Sequence, residues 1–383
     1  MNDKSVRRIS ELLNIANILL IHHHLLSEFF IFDHMDRRSF VKKSAVASAA
    51  TVLTLNAANA QAKAGESLIK PKALKKGDTI GLITPASAVT RQAFEKAVEN
   101  LEAMGFVVKY TDNMSVRKGF LAGTDQQRLD DLHRMFEDPN IDGIVCARGG
   151  YGSGRLLPNI NYDLIKANPK VLVGYSDITA LLYGIHEQTG LVCFHGPVGA
   201  SEYSEFTEKG FEQVLMKGKA PKFERPKTWE ENQDPAFQLL SIVTGAEQGA
   251  LVGGNLSLMC SLMGTPYDID YTDKIVFIEE IGESPYRVDR MLTQLLNSGK
   301  LAKAKGIAMG VFWGCETKST DPDFALSTSL ENVLKDRFED LSIPVLYGLP
   351  IGHIDDNATL PFGIQAELDV EEGSLRLLDS GVV

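Results

Sequence analysis

The stretch VLVGYSDITALL, residues 171–182, decides the fold. A short apolar run stops at Gly174, Tyr175 and Ser176 follow, and beyond them the apolar residues take up helical spacing. A strand that feeds a helix through so tight a turn is the repeating unit of a parallel sheet, since the helix must carry the chain back to start the next parallel strand. The same alternation extends upstream. Residues 79–84 (TIGLIT) read as a short strand ending at Pro85, and 90–104 as a helix with Phe94, Val98 and Leu101 on one face and Gly105 as its stop. Residues 106–110 form the next expected strand. Thr124 caps a helix carrying Leu129, Leu132, Met135 and Phe136, and 141–147 is a buried strand running straight into RGGYGSGR. Downstream, 191–194 continues the series.

Between about 200 and 248 the pattern dissolves into charged, Pro- and Lys-containing sequence such as KGKAPKFERPKTWEENQDP. Strand and helix signals resume at 250–252 and after Asn255, with further strands expected at 274–278, 307–312 and 344–346. Ser284 and Pro285 open a helix that turns Val288, Met291, Leu292 and Leu295 inward. Residues 365–378 alternate around 371–373, a hairpin signal. The expected class is α/β: an N-terminal parallel-sheet domain with flanking helices (72–200), a connecting segment (201–248), and a mixed α/β C-terminal domain (249–383).

Composition narrows the function. The chain has 383 residues, 44% hydrophobic and 23% charged, with net charge −11. That balance suits a soluble globular protein and argues against a nucleic-acid partner, which would need clustered Lys and Arg. The four cysteines, Cys146, Cys193, Cys260 and Cys315, are scattered in apolar or Gly-flanked stretches and read as buried structural thiols. No Cys/His metal spacing appears, so neither a metal nor a cofactor is expected.

The N-terminus is a different kind of sequence. From Met35, Arg37 and Arg38 precede Phe40, a weakly apolar Ala/Val/Ser/Thr run follows, and Ala58-Asn59-Ala60 places small residues where a signal peptidase reads. Residues 35–60 therefore read as a twin-arginine-like signal for export to the periplasm. The run is too short and too polar to span a membrane, so no stable span is expected after its removal. Residues 1–34 would then be a mis-assigned extension, with Met35 the true start.

Several residues can carry chemistry. Ser176, at a strand-to-helix turn, would hold its hydroxyl above the carboxyl edge of the sheet, beside free N–H groups of a helix N-terminus, as a nucleophile requires. It could equally be a helix cap, and Ile178 stands where G-x-S-x-G has its second Gly. The glycine loop CARGGYGSGR (146–155) lets backbone approach a ligand, with Arg148 suited to a carboxylate or oxyanion; a structural turn fits as well. Glu279 and Glu280 close an apolar strand and must point to opposite faces, so at most one faces a cleft at the sheet end. Among the histidines, His133 lies on an exposed helical face and His186 late in a helix. His195 (FHGP) and His353 (LPIGH) remain as loop-positioned bases.

Together, GYSDIT (174–179), the upstream RGGYG loop, HGP, GGNL (253–256), EEIGESPYRVDR (279–290) and LPIGH (349–353) resemble, in order, the L,D-carboxypeptidase family of serine peptidases, which includes the microcin C immunity hydrolases. The resemblance covers about 72–378. It implies Ser176 as nucleophile, Glu279 as acid and His353 as base, at the interface of the two domains. It implies the backbone N–H groups of Gly150 and Asp177 as oxyanion donors. The implied substrate is a muropeptide or other small peptide, cleaved before a C-terminal D-amino acid through an acyl-enzyme; nothing in the sequence excludes a homodimer. Two rivals belong to other classes. One is a periplasmic two-lobed binding protein, which would need no base; the other is an amidase with a Cys nucleophile, against which Cys146 stands before the glycine loop rather than on a strand-to-helix turn.

Overall fold

The computed structural model describes residues 68–232, 234–317 and 326–383. The extension at 1–34 and the export signal at 35–60 lie outside the described residues. Five strands, β1 (Thr79–Ile83), β2 (Val107–Lys109), β3 (Gly143–Cys146), β4 (Val171–Gly174) and β5 (Phe194–His195), run parallel in the spatial order β5-β4-β3-β1-β2. Every residue of β3 and β4 is buried, which is why they read as unbroken apolar runs rather than alternating ones. The helix Arg91–Ala103 starts at Thr90, whose side chain accepts from Ala93 N, and the helix Asp125–Glu137 starts in a capping box between Thr124 and Gln127. The strand expected at 191–194 is shorter and shifted: Leu191 only bridges Ile69, and regular pairing starts at Phe194.

A second, eight-stranded sheet holds β6 (Lys222–Glu224), β7 (Leu240–Val243), β8 (Ala246–Asn255), β9 (Lys274–Ile281), β10 (Gly306–Trp313) and β11 (Val345–Tyr347). The chain then leaves this sheet. β12 (Leu360–Pro361) pairs antiparallel with β5 of the first sheet before β13 (Gln365–Asp369) and β14 (Ser374–Leu377) return as the expected hairpin. The order is β6-β14-β13-β8-β9-β10-β11-β7, with β8 to β11 mutually parallel and the flanks antiparallel. The segment at 201–248 is more than a connection, because β6 and β7 form the two outer edges of this sheet. Edge strands keep one side in water, so their charged, interrupted composition hid them from a periodicity reading.

One apolar core runs through both sheets. Phe277 of β9 packs edge-on against Phe362, which follows β12, with ring centroids 5.8 Å apart. All four cysteines are buried and free. Among the described residues, no helix is long and apolar enough to cross a membrane.

Candidate active site

The turn after β4 carries the first candidate. Ser176 has φ +64°, one of two non-glycine residues with positive φ among those described. Holding an L-residue there costs about 1–2 kcal/mol, so the surrounding packing must impose it. Part of that packing is the glycine loop: a Cβ on Gly149 would lie 2.9 Å from Ser176 Cβ and 3.1 Å from its Oγ. Only a glycine lets the loop pass over the serine. Ile178 replaces the second Gly of the usual elbow because its side chain fills the space above Gly174, where a Cβ would meet it at 2.7 Å.

Asp177 does more than follow the serine. It stands at the start of the helix Ile178–Thr189, yet its carboxylate does not cap that helix. Instead Oδ1 accepts from Gly152 N (3.1 Å) and Oδ2 from Ser153 N (2.8 Å), while Ser153 Oγ donates to the Asp177 carbonyl at 2.5 Å. Ser87 Oγ accepts from Tyr151 N at 3.0 Å, and the buried Arg128 guanidinium donates to the carbonyls of Pro85 and Gly152. The loop that would bind an oxyanion is thus clamped from three sides. The backbone N–H groups of Gly150 and Asp177 make no hydrogen bond to a described residue. Sequence reading missed the roles of Ser87, Arg128 and the Asp177 side chain; a buried arginine beside apolar Leu129 breaks no helical period and gives no signal.

The second candidate group comes from the other sheet. Glu279, in β9, is fully buried, and its Oε2 accepts from His353 Nδ1 at 2.7 Å. Burial alone would raise the Glu279 pKa, but the His353 ring beside it holds the carboxyl below its ordinary value. His353 shows the mirror effect: burial lowers its pKa, and the Glu279 carboxylate outweighs burial and raises it. Glu280 turns the other way. It is also buried, with Oε1 accepting from Asn255 Nδ2 and Ile281 N, and Oε2 from Ser257 N and Oγ. Its four donors make it an internal anchor for the helix Leu256–Leu262 rather than a solvent-facing acid.

Asn255 ties the two halves of the site together. Its backbone N donates to Thr179 Oγ1 at 3.1 Å, in the helix that follows Ser176, while its side chain holds Glu280. Gly254, at φ +152°, permits this crossing, since a Cβ there would come within 2.6 Å of Thr179. The crossing brings the His353 loop against the serine turn. The Tyr175 ring lies 4.7 Å from the His353 ring and 5.8 Å from that of His195. No hydrogen bond joins Ser176 to His353 among the described residues; they adjoin through Tyr175.

The remaining candidates separate clearly. His195 is 0% exposed, and burial pushes its pKa down to about 4, whereas the His353 side chain keeps 14% of its surface open. His133, expected on an exposed face, is half-buried, and its Nε2 accepts from Asn161 N at 2.9 Å. Arg148 donates to the Ala88 carbonyl at 3.2 Å and lies beside Gly150. Burial drives the Cys146 thiol far above its ordinary pKa, which suits an inert thiol. A buried carboxylate–imidazole pair next to a strained serine and unengaged backbone amides can activate a hydroxyl and stabilise an oxyanion.

Comparison with known proteins agrees with this chemistry. Residues 80–196 match the LD-carboxypeptidase N-terminal domain, and 248–368 match the LD-carboxypeptidase C-terminal domain. The chain belongs to the LD-carboxypeptidase family. It is 40% identical over 318 residues to the probable murein peptide carboxypeptidase of Bacillus subtilis, covering 82% of this chain and 95% of that one. Its fold matches the muramoyltetrapeptide carboxypeptidase of Oxalobacter formigenes with a TM-score of 0.66 at 30% identity, covering 78% and 97% of the two chains. It also matches the microcin C7 self-immunity protein MccF, solved in complex with aspartyl sulfamoyl adenosine, with a TM-score of 0.72 at 25% identity, covering 82% and 100%. As an LD-carboxypeptidase-family member the protein is a serine-type carboxypeptidase hydrolase, which sets aside the binding-protein and Cys-amidase alternatives.

Proposed function

We propose that this enzyme removes the C-terminal D-amino acid from a murein tetrapeptide, with Ser176 as nucleophile, His353 as base and Glu279 as the acid that orients it. The observation that carries this reading is the 2.7 Å contact between a wholly buried Glu279 and His353, whose ring packs beside the Tyr175–Ser176 turn. His353 Nε2 takes the Ser176 proton as Oγ attacks the amide carbonyl, and Glu279 stabilises the imidazolium that forms. The tetrahedral oxyanion is held by the N–H groups of Gly150 and Asp177. His353 then gives its proton to the leaving amine, and a water, deprotonated by the same ring, releases the acyl group from Ser176. Arg148, beside the loop, would draw the carboxylate of the substrate's terminal residue.

The substrate class is supported by relatives named for murein peptides and a muramoyltetrapeptide. Hydrolysis of an aminoacyl-adenylate-like amide, patterned on the aspartyl sulfamoyl adenosine solved with MccF, is the second reading, favoured by the higher TM-score of that structure. The paired arginines at Arg37 and Arg38 support action outside the inner membrane. The deciding experiment incubates purified enzyme with murein tetrapeptides and, separately, an aminoacyl sulfamoyl nucleoside, and follows release by mass spectrometry. D-Ala release from the tetrapeptide, lost by several powers of ten in Ser176→Ala, is the expected outcome. A Ser176→Ala enzyme within about tenfold of wild type overturns the mechanism, and cleavage of the nucleoside compound alone overturns the substrate.

A further inference from the structure

His195 is a buried titratable group that the mechanism above leaves unused. Among the described residues, neither of its ring nitrogens has a hydrogen-bond partner, although the residue is 0% exposed. It does not stand alone. Glu279 Oε1, Asn357 Nδ2 and Thr359 Oγ1 are also buried without partners. These atoms belong to one place. His195 pairs with Leu360 across the junction of β5 and β12, and a Cβ on Gly196 would lie 3.2 Å from Thr359 Oγ1. The charges of Glu279 and His353 reach the His195 ring, and the Asn357 side chain lies close to it. Isolated orphans of this kind are rare inside proteins, and several together call for a shared explanation.

Their chemistry is complementary. A neutral imidazole has one donor and one acceptor, Asn357 Nδ2 can only donate, and the Glu279 carboxylate can only accept. Asn357 is already oriented, because its Oδ1 accepts from Gly352 N at 2.9 Å, immediately before His353. We propose that His195 is a positioning residue for the Glu279–His353 pair. It closes a ring of hydrogen bonds from Gly352 N–H to Asn357 Oδ1, from Asn357 Nδ2–H to one nitrogen of His195, from the other nitrogen to Glu279 Oε1, and from His353 Nδ1–H to Glu279 Oε2. Both links of His195, to Asn357 and to Glu279, are open among the described residues and each crosses a buried water, which such a polar site can hold.

The ring gives each oxygen of a buried anion a donor and ties the loop bearing the base to the strand bearing the acid. Burial, which keeps His195 neutral, is what leaves it one donor and one acceptor. The other ionisable groups facing the Glu279–His353 pair are Glu280 on the same strand, Tyr175 after β4 and Cys315 after β10, while Asp355 of the His353 loop acts on Tyr175. The Glu280 charge adds to that of Glu279 in raising the His353 pKa.

This inference rests on the catalytic reading of Ser176, Glu279 and His353, and its test separates the two. His195→Phe keeps the aromatic contacts with Tyr175 and Phe277 but removes both nitrogens. Without a donor on Oε1 the Glu279 carboxylate becomes the stronger acceptor for His353, its pull on the imidazolium grows, and the acidic limb of the kcat/KM profile moves to higher pH. The expected result is that shift, with kcat reduced about tenfold or more and KM little changed. His195→Gln, whose amide again supplies both a donor group and an acceptor, should restore the limb. A merely structural role would lower thermal stability and leave the limb in place in both variants, and that outcome overturns the proposal. Should His195→Phe not fold, Asn357→Ala must move the limb in the same direction, and an unmoved limb there is equally decisive. An active Ser176→Ala enzyme defeats the catalytic reading itself, whereas an inert Ser176→Ala together with an unmoved limb in His195→Phe defeats only the role given to His195.

Discussion

His353 Nδ1 meets Glu279 Oε2 at 2.7 Å across 74 residues of sequence, one from the loop after β11 and the other from the buried end of β9. The carboxylate has no exposed surface, so the interaction is not screened as a surface pair would be.

A pH dependence follows from that contact. As the proposed base His353 works only when neutral, and Glu279 raises its pKa against the opposing effect of burial. The wild-type kcat/KM should therefore rise with pH through a midpoint above the ordinary histidine value of about 6.5. In Glu279→Gln the negative charge is gone and only the weaker pull of Glu280 opposes burial, so the midpoint should fall, with kcat down by about a thousandfold or more. A pH–rate profile of the variant measures both; an unmoved midpoint would show that the pair does not titrate together during turnover.

Gly150 offers a test of the oxyanion site. Its φ is +104°, and a Cβ there would stand 2.4 Å from Ser87 Oγ and 2.6 Å from Ser87 Cβ, the residue that holds Tyr151 N. Gly150→Ala must displace the loop and its free N–H. The expected loss is about 10²–10³-fold in kcat with KM little affected. Steady-state kinetics showing a change confined to KM would place the loop in substrate binding instead.

Asp177 should matter for stability as well as chemistry. In Asp177→Asn one carboxylate oxygen becomes an NH2 group facing a backbone N–H of Gly152 or Ser153, so that buried donor loses its acceptor. Denaturant unfolding should show a loss of about 1–3 kcal/mol. A variant as stable as wild type would mean that water replaces the lost contact.

Export can be checked apart from catalysis. Replacing Arg37 and Arg38 by lysine should hold the precursor in the cytoplasm if the paired arginines are read as a twin-arginine signal. Cell fractionation that still finds the mature form outside the inner membrane excludes that route.

The sequence by itself determined whatever depends on local geometry. The turn at 174–178 is legible because an apolar run of strand length meets a helical period at a serine. The opposed directions of Glu279 and Glu280 follow from the two-residue repeat of a strand, and the cap at Thr124 follows from its hydroxyl. Only tertiary structure sets His195 and His353 apart in burial and partners, although they stand in similar loop-like contexts in the sequence. β12 crosses into the first sheet and seals His195 inside, while the loop before it leaves His353 partly open beside Tyr175. The same holds for the edge strands within 201–248, the Asp177 clamp on the glycine loop and the Asn255 bridge. The reason is physical: periodicity records which face of an element is buried, but depth of burial and hydrogen-bond partners far apart in sequence exist only once the sheets pack.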